Sequence, residues 1–219
     1  SLQELNITVD FTYADTPVPT AYEPINHGIA DQSLWIDSFL NRVGYNTVSS
    51  SFTDLAKWNH DQRLANNADW ALTAFVVDSL ADSDGKFSDG YFAYAYLGGP
   101  FLMMTYDNNG WGNSRMGQVF SHEFAHIFYA LDEYPGSNTY TSTSGYYNIQ
   151  NLNASDGHPN PASRVASLMA ESSLQGPAYT YHTSSPTSLQ MVGWRDSDND
   201  GVFDVLDVPL TLTGSGSYD

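Results

Sequence analysis

Residues 114–131 (SRMGQVFSHEFAHIFYAL) constrain this chain more than any other stretch. Phe120, Phe124, Ile127, Phe128 and Leu131 recur there at helical spacing, which predicts a largely buried helix. His122 and His126 stand at i and i+4 within it, so both imidazoles leave one face and can meet at one point. Buried imidazoles need a partner, and a divalent cation satisfies both. The competing reading is a surface helix with two solvated histidines, and the flanking aromatic rings count against it. Glu123 projects about 100° further round the helix, near enough to touch a water held at that point without being a ligand. Zinc brings the pKa of such a water to about 7, and a carboxylate can take its proton as the water attacks a carbonyl.

The chain has no cysteine, so disulfides and thiolate metal sites are excluded, and any zinc must be held by His, Asp or Glu. A third ligand is required. Asp132 and Glu133 lie just beyond the helix, while His158 and His182 sit in surroundings that do not mark them.

The stretch HEFAHIFYALDEY resembles the active-site motif of metzincin zinc peptidases, in particular the snapalysin, immune inhibitor A and bacterial immunoglobulin-A-peptidase types. The resemblance covers roughly residues 69–194. It implies His122, His126 and Asp132 as zinc ligands, with Glu133 the alternative to Asp132, and Glu123 as general base. The glycine that lets the family's chain turn back after the helix is Tyr129 here. Ser167-Leu168-Met169-Ala170 resembles the family's methionine turn, with Met169 beneath the metal. A gluzincin arrangement would instead take Glu171 from a later helix, but residues 170–173 are a poor helix candidate. Glu171 also occupies the slot where some relatives carry a tyrosine that assists the oxyanion, which leaves Tyr179 or Tyr181 to supply such a hydroxyl. The implied fold is α+β: a mixed twisted sheet with backing helices, an active-site helix, and an irregular C-terminal subdomain.

The pattern elsewhere agrees with an α+β order. Alternation predicts a half-buried strand over 2–13, and a proline-rich loop with Pro17, Pro19 and Pro24 follows. Helical spacing predicts helices over 31–43, closed by Gly44, and over 51–67. A buried strand is expected over 69–78, and strands over 91–97 and 101–106. Residues 135–186 read as loop with short elements at most. A short helix is expected over 187–194, packed behind the active-site helix. Residues 1–207 read as one catalytic unit with subdomains 1–131 and 132–207. Residues 208–219 read as a tail or the start of a further module, since 208–214 is strand-like.

The 25 acidic against 7 basic side chains give a net charge of −18. Such a surface repels phosphate backbones, which argues against nucleic acid as a partner, and it favours cations. Residues 196–207 (DSDNDGVFDVLD) match a calcium-loop spacing, with Asp196, Asp198, Asp200, Val202, Asp204 and Asp207 as oxygen donors. Asp82, Asp84 and Asp89 could form another cation site, but Lys86 and the loose spacing favour a plain turn. No run approaches the ~20 apolar residues of a membrane span. Calcium held by several carboxylates suits extracellular concentrations, so the expected protein is a secreted or cell-surface zinc endopeptidase acting on proteins or peptides. The alternative is a catalytically silent, zinc- and calcium-stabilised surface or carbohydrate-associated module.

Overall fold

The computed structural model describes residues 17–47, 50–205 and 207. The expected strands over 2–13 and 208–214 lie outside the described residues. Ten helices and strands are labelled here in chain order: α1 (Gln32–Val43), α2 (Ser51–Ala65), β1 (Thr73–Val77), β2 (Ala93–Ala95), β3 (Phe101–Thr105), α3 (Met116–Ile127), β4 (Thr143–Ser144), β5 (Ile149–Gln150), α4 (Ser172–Thr180) and α5 (Pro186–Met191). The architecture is mixed α+β.

Phe101 to Thr105 is wholly apolar up to its final residue, and every position in it is buried. A strand covered on both faces reads as such an unbroken run. β3 accordingly sits at the centre of the sheet, with β1 parallel on one side and β2 antiparallel on the other. Successive side chains alternate between faces. Phe101 and Met103 join a core with Trp35, Ile36 and Leu40 of α1 and Leu55 of α2. Leu102 and Met104, also buried, therefore face the opposite side, where α3 packs against β2 and β3. Each fully buried side chain of this size contributes about 1.5–3 kcal/mol. The result is a layer of helices, a sheet, and α3 held against the other face.

The helices end where local chemistry ends them. Gly44 takes a left-handed conformation and its N–H bonds back to Leu40 and Asn41. The Ser50 hydroxyl accepts from the Thr53 N–H and starts α2, which closes at Ala65, two residues short of the expected end. The strand expected over 69–78 is shorter and less buried than expected. Trp70 leaves the strand to pack on Phe128, 5.3 Å between ring centroids, and Val76 is exposed because β1 lies at an edge among the described strands.

Two corrections fall in the C-terminal part. Residues 172–180 form α4 in the stretch read as loop with short elements at most, and it opens within 170–173, where no helix was expected; Gly176 and Pro177 inside it hide the helical pattern. The last expected helix starts at Pro186, capped by Ser185, and ends at Met191. It packs mainly on β5 rather than behind α3. The hairpin of β4 and β5 turns at Gly145, whose φ is +82°; a Cβ there would sit 2.4 Å from the Met191 Cα. Only glycine fits that approach. Among the described residues no helix is long and apolar enough to cross a membrane.

Candidate metal centre

α3 stops at Ile127, short of the Leu131 expected from its apolar spacing. Phe128 and Tyr129 still bond back to Ala125 and His126, but Tyr129 takes φ +70°. Tyr129 stands where the metzincin motif that this stretch resembles carries glycine, and its left-handed conformation costs about 1–2 kcal/mol. Its ring lies across Gly98, where an added Cβ would come within 2.6 Å of the hydroxyl. The chain reverses there and carries Asp132 back over the exposed end of the histidine pair.

Asp132 Oδ1 lies 3.0 Å from His122 Nε2 and 3.2 Å from His126 Nε2. The other ring nitrogens are engaged: His122 Nδ1 is 2.8 Å from the Leu168 carbonyl and His126 Nδ1 is 2.7 Å from the Ala130 carbonyl. A carbonyl only accepts, so each Nδ1 carries the hydrogen and each neutral ring turns its Nε2 lone pair inward. Asp132 Oδ1 is buried and, despite the short distances, has no hydrogen bond of acceptable geometry. With both rings neutral, three acceptor atoms would face one another with no donor between them, an arrangement that either a proton on an Nε2 or a cation at that point resolves. The three residues form a group whose ligand atoms lie within 4.8 Å of one another. Donors at about 2.0–2.2 Å around a tetrahedral ion sit roughly 3.3–3.5 Å apart. The 3.0 and 3.2 Å found here are slightly shorter than that, and the N, N, O donor set is one that zinc accepts.

The electrostatics agree. Burial alone would lower the His122 pKa, but the carboxylates of Asp132 and Glu123 outweigh it and the pKa rises to about 9. Burial would raise the Asp132 pKa, yet the two imidazoles hold it well below the usual carboxylate range. The pocket retains positive charge, and a divalent cation supplies that charge without a proton. Glu123 is buried one position along the helix. Burial pushes its carboxyl pKa upward, His122 and His126 oppose this, and the Asp132 charge adds to the rise.

The remaining candidates divide clearly. Glu133 is not in the group: it is fully buried, and its carboxylate is taken up by Asn153, Ser185 and Ser188. Met169 is fully buried, in the turn whose Leu168 carbonyl holds His122. Glu171 turns to Arg164 in a two-pronged ion pair. His158 bonds to Leu152 and Asn160, and His182 is an exposed turn residue. Tyr179 lies over Gly117 at the start of α3, and Tyr181 is 79% exposed. The tyrosine at the centre is Tyr134 instead. Its ring centroid is 6.2 Å from that of His122. Burial raises its hydroxyl pKa, and the charge of Asp132 and a hydrogen bond to it add to the rise. Tyr134 was visible in the sequence as the last residue of HEFAHIFYALDEY, but no role was attached to it.

Sequence reasoning also missed a relay behind His122. Arg115 donates to Gln118 Oε1 at 3.0 Å, Gln118 Nε2 to Gln175 Oε1 at 2.9 Å, and Gln175 Nε2 to the Leu168 carbonyl at 3.1 Å. A guanidinium can only donate and a carbonyl only accept, so both amide orientations are forced. Gln118 was detectable as a polar residue on the buried side of α3. Gln175 carried no signal, since α4 itself was not recognised.

In the acidic loop, Asp196, Asp198 and Asp200 are brought together. Asp196 Oδ1 is buried without a hydrogen-bond partner. Asp204 departs from the expected set: its carboxylate pairs with Arg195 and accepts from Ser197. Asp207 is exposed and also outside the group. A nearby cation and hydroxyl offer Asp204 a ready partner, which the loop spacing alone does not reveal. Asp82, Asp84 and Asp89 cap backbone N–H groups of their own turn and of Ile29, as a plain turn requires.

Comparison with protein-family models, curated proteins and solved structures finds no match for this chain.

Proposed function

We propose that this chain is the catalytic domain of a zinc-dependent endopeptidase of metzincin type, with His122, His126 and Asp132 as ligands and Glu123 as general base. The observation that carries the reading is the convergence of two imidazole lone pairs and an unpartnered carboxylate oxygen on one buried point. The reversal at Tyr129 and the Met169 turn under His122 support the metzincin assignment. Both occur where that resemblance calls for them.

Zinc at this point would supply Lewis acidity and bring the pKa of water towards about 7. Glu123 accepts the proton of the attacking water and returns it to the departing amine nitrogen. His122 and His126 are kept in one tautomer by the Leu168 and Ala130 carbonyls. The Tyr134 hydroxyl, rather than that of Tyr179 or Tyr181, is proposed as the donor to charge developing on the scissile carbonyl, supported by its ring lying beside His122. Asp196, Asp198 and Asp200 are proposed to hold calcium as a staple, which favours an exported protein.

The test is hydrolysis of an unfolded protein substrate by zinc-loaded chain. Activity abolished by a chelator and restored by zinc is the expected result. A zinc-loaded chain that cleaves nothing would favour the silent surface module.

A further inference from the structure

Glu133 presents a separate problem. It is a carboxylate at 0% exposure, adjacent to Asp132, and the proposed chemistry does not use it. Burying such a group is costly unless it is hydrogen-bonded, and here both oxygens are. Oε1 accepts from Ser185 and from Ser188 at 2.7 Å, and Oε2 from Asn153 at 2.6 Å. Its main chain is held as firmly. The N–H donates to the Met169 carbonyl at 2.8 Å, and the carbonyl accepts from Arg164 at 2.8 Å.

Residues 130–133 belong to no helix or strand, so nothing regular fixes Asp132. The two neighbouring carboxylates have separate partners, the histidines for Asp132 and Asn153, Ser185 and Ser188 for Glu133. Asp132 points to the histidines, and Glu133 into the C-terminal core. The bond to Met169 joins Glu133 to the same turn whose Leu168 carbonyl holds His122. The side chain extends this support to Ser185 and Ser188 at the start of α5.

We propose that Glu133 is a positioning residue for the metal centre, which sets the place of Asp132 relative to His122 by clamping the reversed segment to α5. This rests on the zinc-peptidase reading. Three directional hydrogen bonds fix the rotamer of Glu133 in a way that an apolar side chain of equal volume does not. Partners of this kind beyond the ligands change metal affinity by about 10–100-fold when altered.

The experiment uses the full chain in four forms: unaltered, Glu133→Gln, Ser188→Ala, and Met191→Ala as a control that loosens α5 without touching Glu133. Each is checked for folding by circular dichroism, titrated with zinc against a chromophoric chelator, and loaded with cobalt for its visible spectrum. Glu133→Gln and Ser188→Ala are expected to bind zinc about 10–100-fold more weakly and to shift the cobalt bands, with Met191→Ala unchanged. If Glu133→Gln fails to fold, Ser188→Ala decides. Native affinity and spectrum in a folded Ser188→Ala, with the unaltered chain binding zinc normally, overturns this proposal alone. An unaltered chain that takes up neither zinc nor cobalt overturns the metal reading and this inference with it.

Discussion

Asp132 Oδ1 lies 3.0 Å from His122 Nε2, although the helix that carries the histidine has already ended at Ile127. The left-handed Tyr129 makes that approach possible. A β-branched residue is a severe outlier in that conformation. Tyr129→Val is therefore expected to lower stability by about 1–3 kcal/mol and to weaken zinc binding, whereas Tyr129→Gly should keep the metal. Chemical denaturation and zinc titration of the two variants check this. Equal zinc affinity in Tyr129→Val and the unaltered chain would detach the reversal from the site.

Asp132→Ala should remove most zinc affinity, because it deletes the only proposed oxygen ligand. Gln175→Leu should act more mildly. It leaves the Gln118 amide without its acceptor and the Leu168 carbonyl without one donor, and a loss of about tenfold in affinity is expected. Zinc competition titrations of both variants give the comparison. A larger effect from Gln175→Leu than from Asp132→Ala would invert the proposed hierarchy.

The fold around the site was legible to the extent that periodicity could carry it. The runs over 69–78, 91–97 and 101–106 announced strands, but the one covered on both faces is 101–105 rather than the 69–78 run expected to be buried. The spacing of Phe120, Phe124 and Ile127 announced α3, although of the three only Ile127 is buried and the two phenylalanines stack on each other half-exposed. The C-terminal part was less legible because polar contacts, not apolar spacing, hold it together. Arg164 joins the carbonyls of Asn153 and Glu133 to Glu171, and no periodicity in the sequence reports such bonds. The helix end was missed because Tyr129 carries no turn signal of its own. His122, Glu123, His126 and Asp132 could be picked out because the chemistry proposed for them fixes their spacing. Tyr134, Gln118 and Gln175 act through position in space.

Arg164 also gives a pH prediction. Its guanidinium hydrogen-bonds to Glu171 and holds that carboxyl below its ordinary pKa, although partial burial pulls the other way. A depressed folded pKa contributes stability that is fully present above the unfolded value, about 4.3, and is lost as pH falls through the folded value. Thermal melts should show Arg164→Leu to be less stable than the unaltered chain by about 2–4 kcal/mol at pH 7, with the gap narrowing below about pH 4. A gap that widens on acidification would contradict the sign.

Calcium in the acidic loop should act on stability alone. Millimolar calcium is expected to raise the melting temperature, since a ligand that binds only the folded state stabilises it logarithmically with concentration. Asp198→Ala with Asp200→Ala should abolish the rise. Asp204→Ala should preserve it, because that carboxylate belongs to Arg195 and Ser197. A melting curve indifferent to calcium would leave the loop as a solvated acidic turn.

The central claim is that Glu123 moves the proton at a zinc centre built by His122, His126 and Asp132. The most direct measurement is the rate of peptide hydrolysis by Glu123→Gln, with its zinc content determined in the same sample. Zinc should stay stoichiometric, because Glu123 is not a ligand. Turnover should fall by about two to four orders of magnitude, as expected for loss of a general base. Near-native turnover by a fully zinc-loaded Glu123→Gln would contradict the account.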